Sequence, residues 1–156
     1  MVIIIYILLF LNNIIMLSKS NEKKNGINMW YENIDCTEFL KRLYNEIPPL
    51  EKINLINIKV RGFYPYKVEL IIRLPKSVDY PPLKWTEKGF NYPYIHIDLA
   101  NVVDVFLEQH SPGDEISMEI ESDGNDGLVV KSYGDISFEI VSKNVGGLIQ
   151  KIEGGD

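Results

Sequence analysis

Apolar and polar side chains alternate with a period of two over most of the chain after residue 50, and this pattern limits the possible folds more than any other feature. Successive side chains of a β-strand point to opposite faces, so each alternating run predicts a strand with one buried face. Strands of this kind are typical of antiparallel sheets that are covered on one side. The clearest runs are Tyr66–Leu74, Ile95–Leu99, Ile116–Ile120 and Ile136–Ile140.

Further apolar runs and the turn residues between them extend the same pattern. Segments rich in Gly, Pro, Asn and Asp separate successive runs, which is typical of β-hairpins. The remaining strand-like runs are Ile53–Val60, Val102–Leu107, Leu128–Tyr133 and Leu148–Ile152. Together the runs predict about seven or eight strands in a mostly antiparallel, meander-like sheet.

One N-terminal segment has the spacing of a helix instead. Asp35 followed three residues later by Glu38 is a helix-start signal, and the pair Pro48–Pro49 would end the helix. The apolar stripe between these signals consists of Phe39, Leu40, Leu43 and Tyr44. We therefore predict an α+β fold class, with one N-terminal helix packed on the sheet.

Residues 1–28 differ in composition from the rest of the chain. The run Val2–Leu17 is apolar apart from Asn12 and Asn13, and it is shorter than the roughly 20 residues that a spanning helix needs. No Lys or Arg precedes the run and no small-residue cleavage site follows it, as a signal peptide would require. Three interpretations stay open: a start assigned too early, a membrane anchor and a cleaved signal.

The first two interpretations leave residues 29–156 in the cytoplasm. An anchor would do so because the Lys residues of this segment follow the apolar run, and positive charge stays on the cytoplasmic side. We therefore expect a single cytoplasmic domain at residues 29–156. A membrane is expected as a partner only if residues 1–28 form an anchor.

Charge is distributed unevenly within residues 29–156. Residues 29–97 carry ten basic and eight acidic side chains, whereas residues 98–156 carry three basic and 13 acidic ones. The acidic excess argues against direct binding of nucleic acid, which needs a surplus of Lys and Arg. It favours either a surface for a basic partner or a solvated face that keeps the protein soluble. The acidic residues predicted to point outward from the strands are Asp98, Glu115, Glu119, Glu121, Asp135 and Glu139.

Residues that could carry out chemistry are few and scattered. His96 and Asp98 lie on one strand face, but His110 is distant in sequence and no metal-binding or nucleophile motif is present. Cys36 has no second cysteine with which to form a disulfide or a cysteine-based zinc site. The acidic segment Glu121–Gly127 fits a hairpin turn better than a calcium loop, because Asn125 and Asp126 break the alternation of ligands. We predict no catalytic, cofactor-binding or metal-binding residues, and no enzyme activity.

Several short motifs resemble the immunity protein 50 family of bacterial polymorphic toxin systems. The motifs begin with Met29–Ile34 and continue, in order, through Ile47–Glu51 to about residue 152. The most specific part consists of Pro81, Pro82, Lys84, Trp85, Gly89, Phe90 and Asn91. The resemblance implies a non-catalytic inhibitor that binds a cognate toxin in the cytoplasm.

The acidic strand faces agree with that implication. A toxin that attacks nucleic acid carries a basic groove, which an acidic sheet face would complement. The hypothesis is therefore an immunity protein whose partner is a cognate toxin domain, such as a basic nuclease. Two alternatives stay open: an adaptor that binds peptides or proteins at a strand edge without any toxin, and a small hydrolase that uses His96 or Asp98.

Overall fold

The computed structural model describes residues 29–156, and the apolar run Val2–Leu17 lies outside the described residues. Within this range the chain is 53% strand and 12% helix. A short 3₁₀ turn at Trp30–Glu32 precedes two six-residue helices, α1 at Glu38–Leu43 and α2 at Leu83–Lys88. The strands are β1 (Ile34–Asp35), β2 (Ile53–Arg61), β3 (Tyr66–Arg73), β4 (Tyr92–Gln109), β5 (Glu115–Ser122), β6 (Leu128–Gly134), β7 (Ile136–Ser142) and β8 (Gly147–Gly155).

Six of these strands close into an antiparallel barrel. Around the barrel the order is β4, β3, β2, β5, β6 and β7, and β7 pairs back onto β4. Strand β8 lies outside the ring, antiparallel to the first half of β4, and β1 pairs with β8 in parallel. The predicted α+β class, with one helix packed on a mostly antiparallel, meander-like sheet, is therefore wrong: the protein is mostly β, a closed barrel with two extra strands.

The length and bend of β4 explain how the sheet closes. The sequence pattern breaks near Asn101, which predicts two separate strands, but the structure has a single 18-residue strand through this point. Asn101 adopts a left-handed φ of 48°, and the β4–β7 register shifts between Val102 and Asp104. Irregularities of this kind bend a strand. The first half of β4 can therefore pair with β3 and β8 while its second half reaches β7.

The alternating apolar side chains fill the barrel. Leu70, Ile72 and Ile97, on two neighbouring strands, are completely buried. Leu40 and Leu43 of α1 are buried in the same core, so this short helix contributes apolar side chains without forming a separate layer. Burial of a Leu or Ile side chain contributes about 1.5–3 kcal/mol, so these alternating faces are the main stabilising feature of the fold.

The ends of the helices differ from those predicted. Asp35 does not start a helix: it belongs to β1 and pairs with Leu148, and α1 begins at Glu38 after Thr37. The helix α2 was missed by the sequence pattern because it has no buried side chain and only six residues. Among residues 29–156, no helix is both long and apolar enough to span a membrane.

Candidate interaction surface

Four adjacent strands present a continuous outer surface that is rich in carboxylates. The register aligns Glu119 of β5, Lys131 of β6, Glu139 of β7 and Phe106 of β4 in one row across the barrel. Neighbouring rows on the same side add four more outward side chains. We call this surface the acidic face, formed by Asp104, Phe106, Glu108, Glu119, Glu121, Lys131, Tyr133 and Glu139.

The acidic face combines unbalanced charge with exposed aromatic rings. It holds five carboxylates and one amine, and Lys131 Nζ lies 4.0 Å from the carboxylate of Glu139. Phe106 is 55% exposed and Tyr133 is 52% exposed, although large apolar side chains on strands are usually turned inward. Carboxylates around exposed aromatic rings form a surface suited to a basic protein partner, because aromatic side chains anchor interfaces and charges orient the partner.

The structure brings some of the predicted acidic residues together and separates others. Glu119, Glu121 and Glu139 lie together on the acidic face. Asp98 lies on the other half of β4, where its carboxylate is 2.8 Å from Lys67 Nζ. Its location before the bend of β4 places it on a different side of the barrel.

The other two predicted acidic residues meet at one end of the barrel. Asp135, in the β6–β7 turn, accepts hydrogen bonds from the Glu115 backbone N–H at 3.0 Å and from the Ser111 hydroxyl. Its carboxylate therefore fastens the β4–β5 loop to the β6–β7 turn. Glu115 begins β5 and its side chain is exposed on the same side of the strand as Glu119 and Glu121.

Sequence reasoning missed Asp104, Phe106, Glu108 and Tyr133 as members of this surface. Tyr133 stands two residues after Lys131, so the period-two pattern of β6 already placed it on the polar side. Phe106 could not be placed in the same way. Its neighbours Val105 and Leu107 are also apolar, and only the pairing of Phe106 with Glu139 shows which way it points.

The opposite side of the barrel carries five basic residues, and its acidic residues are paired. Arg61 lies 3.0 Å from Glu69, and Lys151 lies 2.9 Å from Glu153. The hydrogen bond that Lys67 donates to Asp98 raises the pKa of Lys67. The cations of this side are Lys59, Arg61, Lys67, Arg73 and Lys151, on β2, β3 and β8. The charge asymmetry along the sequence is thus a charge asymmetry across the barrel.

The residues considered for chemistry do not form a common site. His96 Nε2 is 3.0 Å from a carboxylate oxygen of Glu153, whereas Asp98 pairs with Lys67, so the two predicted residues have different partners. Among residues 29–156, no group of three or more His, Cys, Asp or Glu side chains converges as a metal ion requires. In the Glu121–Gly127 loop, Asp123 accepts hydrogen bonds from the N–H groups of Asn125 and Gly127, as in a hairpin turn.

His110 and Ser137 form a second polar pair, beside the acidic face. His110 Nε2 lies 2.6 Å from the Ser137 hydroxyl, in a pocket of about 440 Å³ that also includes Phe106 and Tyr133. A nucleophilic serine needs a base that is itself oriented by a third group. The hydrogen bonds of the described residues supply no such group to His110. The pocket continues the acidic face at Phe106 and Tyr133.

The motif around Trp85 is part of the framework. Trp85 packs edge-on to Phe39, with ring centroids 6.4 Å apart, and its indole covers Gly154. Gly89 ends α2 with a left-handed φ of 74°. Glycine adopts this conformation more readily than residues with a Cβ atom do. The N–H of Asn91 donates to the carbonyl of Gly155. These contacts hold α2 against the end of β8.

Comparison with known proteins identifies a family. A family model described as immunity protein 50 matches residues 37–148, which is most of the chain. No curated protein and no solved structure matches the chain. The matched range includes the barrel strands from β2 to β7 and the framework motif around Trp85.

Proposed function

The chain belongs to the immunity protein 50 family, and from that premise we propose that it binds and neutralises a cognate bacterial toxin in the cytoplasm through its acidic face. Membership of this family implies a toxin partner and a mode of action that is generally non-enzymatic. The protein would therefore act by occupying a surface that the toxin needs.

One observation carries the assignment of the binding surface. On the acidic face, five carboxylates and two exposed aromatic rings lie on one side of a rigid barrel, with a single amine among them. Protein interfaces concentrate aromatic anchors within a polar rim. A toxin that acts on nucleic acid has a basic surface of its own, so we propose a basic nuclease as the partner.

The magnitudes indicate how such a surface would work. One exposed ion pair contributes only about 0–1 kcal/mol, so no single carboxylate would decide the affinity. Several carboxylates acting together accelerate association with a basic partner and repel acidic ones. The rings of Phe106 and Tyr133 would supply the buried contact area in the complex.

The test is charge reversal on the acidic face, with the product of the neighbouring gene as the candidate toxin domain. The variant Glu119→Lys/Glu139→Lys should bind this domain about a hundredfold more weakly, because two attractions become repulsions. It should also fail to rescue growth when the two proteins are co-expressed. The decline in affinity with rising salt should be shallower than for the wild type.

A matched control separates location from total charge. Glu38 and Glu87 are exposed residues of α1 and α2, outside the acidic face. Glu38→Lys/Glu87→Lys changes the net charge by the same amount and should retain binding and rescue, with circular dichroism used to check that both double variants fold. Equal affinity and equal salt dependence for both double variants would show that the acidic face does not contact the toxin.

A further inference from the structure

A groove runs beside the acidic face where β2 and β5 separate. These strands pair only at Ile53–Ile116 and Asn54–Glu115, after which β5 continues without β2. The space that opens has a volume of about 660 Å³ and lies between β5 and the segment 46–51. It shares Glu119, Glu121 and Tyr133 with the acidic face, so the two surfaces are continuous.

Hydrogen bonds hold the walls of the groove in place. Leu50 accepts a hydrogen bond from the Met118 N–H at 2.8 Å, which attaches the segment 46–51 to β5. The indole N–H of Trp30 donates to the carbonyl of Pro48 at 3.0 Å, and the Asn33 amide donates to the carbonyl of Ile120 at 2.8 Å. A groove fixed in this way loses little conformational freedom when it is occupied, which favours affinity.

The groove has an apolar floor between two acidic rims. Trp30, Ile47, Leu50 and Met118 are among the residues of the floor and walls. The rims are formed by four exposed residues, Glu46 and Glu51 on one side and Glu119 and Glu121 on the other. None of these four carboxylates belongs to an ion pair within residues 29–156.

We propose that this groove receives a basic, amphipathic segment of the cognate toxin, with an apolar side chain on the floor and Lys or Arg side chains at the rims. This inference rests on the proposed function and extends it, because it adds the rim of Glu46 and Glu51 to the interface. An apolar peptide would leave four carboxylates without partners, and an acidic one would be repelled by them. A basic amphipathic segment satisfies both the floor and the rims.

The first test neutralises the rim that lies outside the acidic face. Glu46→Gln/Glu51→Gln keeps the shape of both side chains and removes two charges. Its affinity for the same candidate toxin domain should fall about tenfold, with a shallower dependence on salt. Glu38→Gln/Glu87→Gln is the matched control and should bind as the wild type does.

The second test identifies what occupies the groove. A photoreactive benzoylphenylalanine replaces Pro49, an exposed residue of the groove that is not part of the acidic face. After irradiation of the complex, the toxin peptide attached at this position should contain Lys or Arg beside an apolar residue. The same substitution at Leu83, which is 74% exposed on α2, is the control and should not attach to the toxin.

The two proposals fail in different ways. If wild-type protein does not bind the toxin domain, the proposed function is wrong and the groove proposal falls with it. Suppose instead that the wild type binds and the acidic-face variant loses affinity, while Glu46→Gln/Glu51→Gln binds normally. Only the groove proposal is then overturned. It is overturned as well if the peptide attached at position 49 lacks basic residues, or if no attachment occurs in the intact complex.

Discussion

Replacement of Gly154 by alanine tests whether the indole of Trp85 fixes the end of β8. A Cβ atom at position 154 would lie 2.7 Å from both Cγ and Cε2 of Trp85, and closer still to Cδ2. Carbon atoms in protein interiors normally approach to about 3.5–4.0 Å. The indole is rigid, so relief requires a displacement of about 1 Å of the whole ring or of β8.

The expected cost follows from what this displacement disturbs. Excess volume in a packed region typically costs about 1–3 kcal/mol. A shift of Trp85 would also disturb its edge-on contact with Phe39, and such aromatic pairs contribute about 0.5–1.5 kcal/mol. We expect Gly154→Ala to lower the free energy of unfolding by about 1–3 kcal/mol. At about 3 °C per kcal/mol for a chain of this size, Tm should fall by about 3–9 °C.

Urea denaturation and thermal unfolding of the full chain provide the measurement, with Gly146→Ala as the control. A Cβ at Gly146 would meet no atom within 4 Å, so this control should change stability by less than about 0.5 kcal/mol. A double-mutant cycle then assigns the cause. If the ring is the obstacle, Gly154→Ala should cost less when Trp85 is already alanine than when it is tryptophan.

Two results would refute this reasoning. Wild-type stability in Gly154→Ala would show that β8 and Trp85 are not in close contact. Additive costs in the cycle would show that Gly154 is needed for some other reason, such as the backbone conformation of β8. Toxin binding is a useful accompanying measurement, because a framework role for Trp85 predicts that variants which still fold keep their affinity.

Two further predictions concern pH. Burial raises the pKa of Tyr44 well above its usual range, so the folded state favours the neutral phenol. The stability that depends on neutral Tyr44 is complete below about pH 10 and is lost as the pH rises further. Tyr44→Phe removes a hydrogen bond to the Lys76 carbonyl, so urea denaturation should show a free energy of unfolding about 1 kcal/mol lower at pH 7. The stability of this variant should also fall less steeply at alkaline pH, and an unchanged fall would contradict this prediction. A hydrogen bond from the backbone N–H of Asn125 lowers the pKa of Asp123. The stability contributed by the ionised carboxylate is therefore present above about pH 4 and is lost as the pH falls. In thermal unfolding between pH 3 and pH 7, Asp123→Asn should flatten the acid dependence of Tm, whereas Asp126→Asn in the same turn should not; identical profiles for the two variants would exclude this role.

The positions of the strands could be read from the sequence, but the closure of the barrel could not. Period-two patterning shows which residues face inward, and β3 and β5 lie where that pattern predicts. Whether the two ends of a sheet meet depends on pairing between distant segments. Here closure depends on the bend at Asn101 and on the contact between β4 and β7, and no local pattern reports that contact.

The helix start shows how tertiary structure overrides a local signal. Asp35 and Glu38 have the spacing of a capping pair, yet Asp35 gains a strand partner in Leu148. Cys36 then takes a left-handed φ of 61°, which turns the chain before α1 begins. The local preference for a cap amounts to about 1 kcal/mol, so pairing and burial elsewhere can outweigh it.

The acidic excess in residues 98–156 predicted an acidic surface, but only the register shows which carboxylates share it. Asp98 and Asp104 belong to the same strand and are six residues apart. The bend between them directs Asp98 toward Lys67 and leaves Asp104 exposed beside β7. The sequence order of acidic residues therefore could not separate those in ion pairs from those available to a partner.

The route of β4 also explains why the two charged sides are distinct. Its first half pairs with β3 and β8, which carry basic residues. Its second half pairs with β7, which carries Glu139 of the acidic face. Around the barrel, β3 and β6 are three strands apart in either direction, so the basic and acidic strands are opposed. Such a separation would orient the proposed basic partner before contact, because the partner would be attracted to one side and repelled by the other. If the proposed toxin binds through the acidic face, the separate basic side should accelerate association. Neutralising Lys59 or Arg73, which lie outside the proposed interface, should therefore lower the association rate constant.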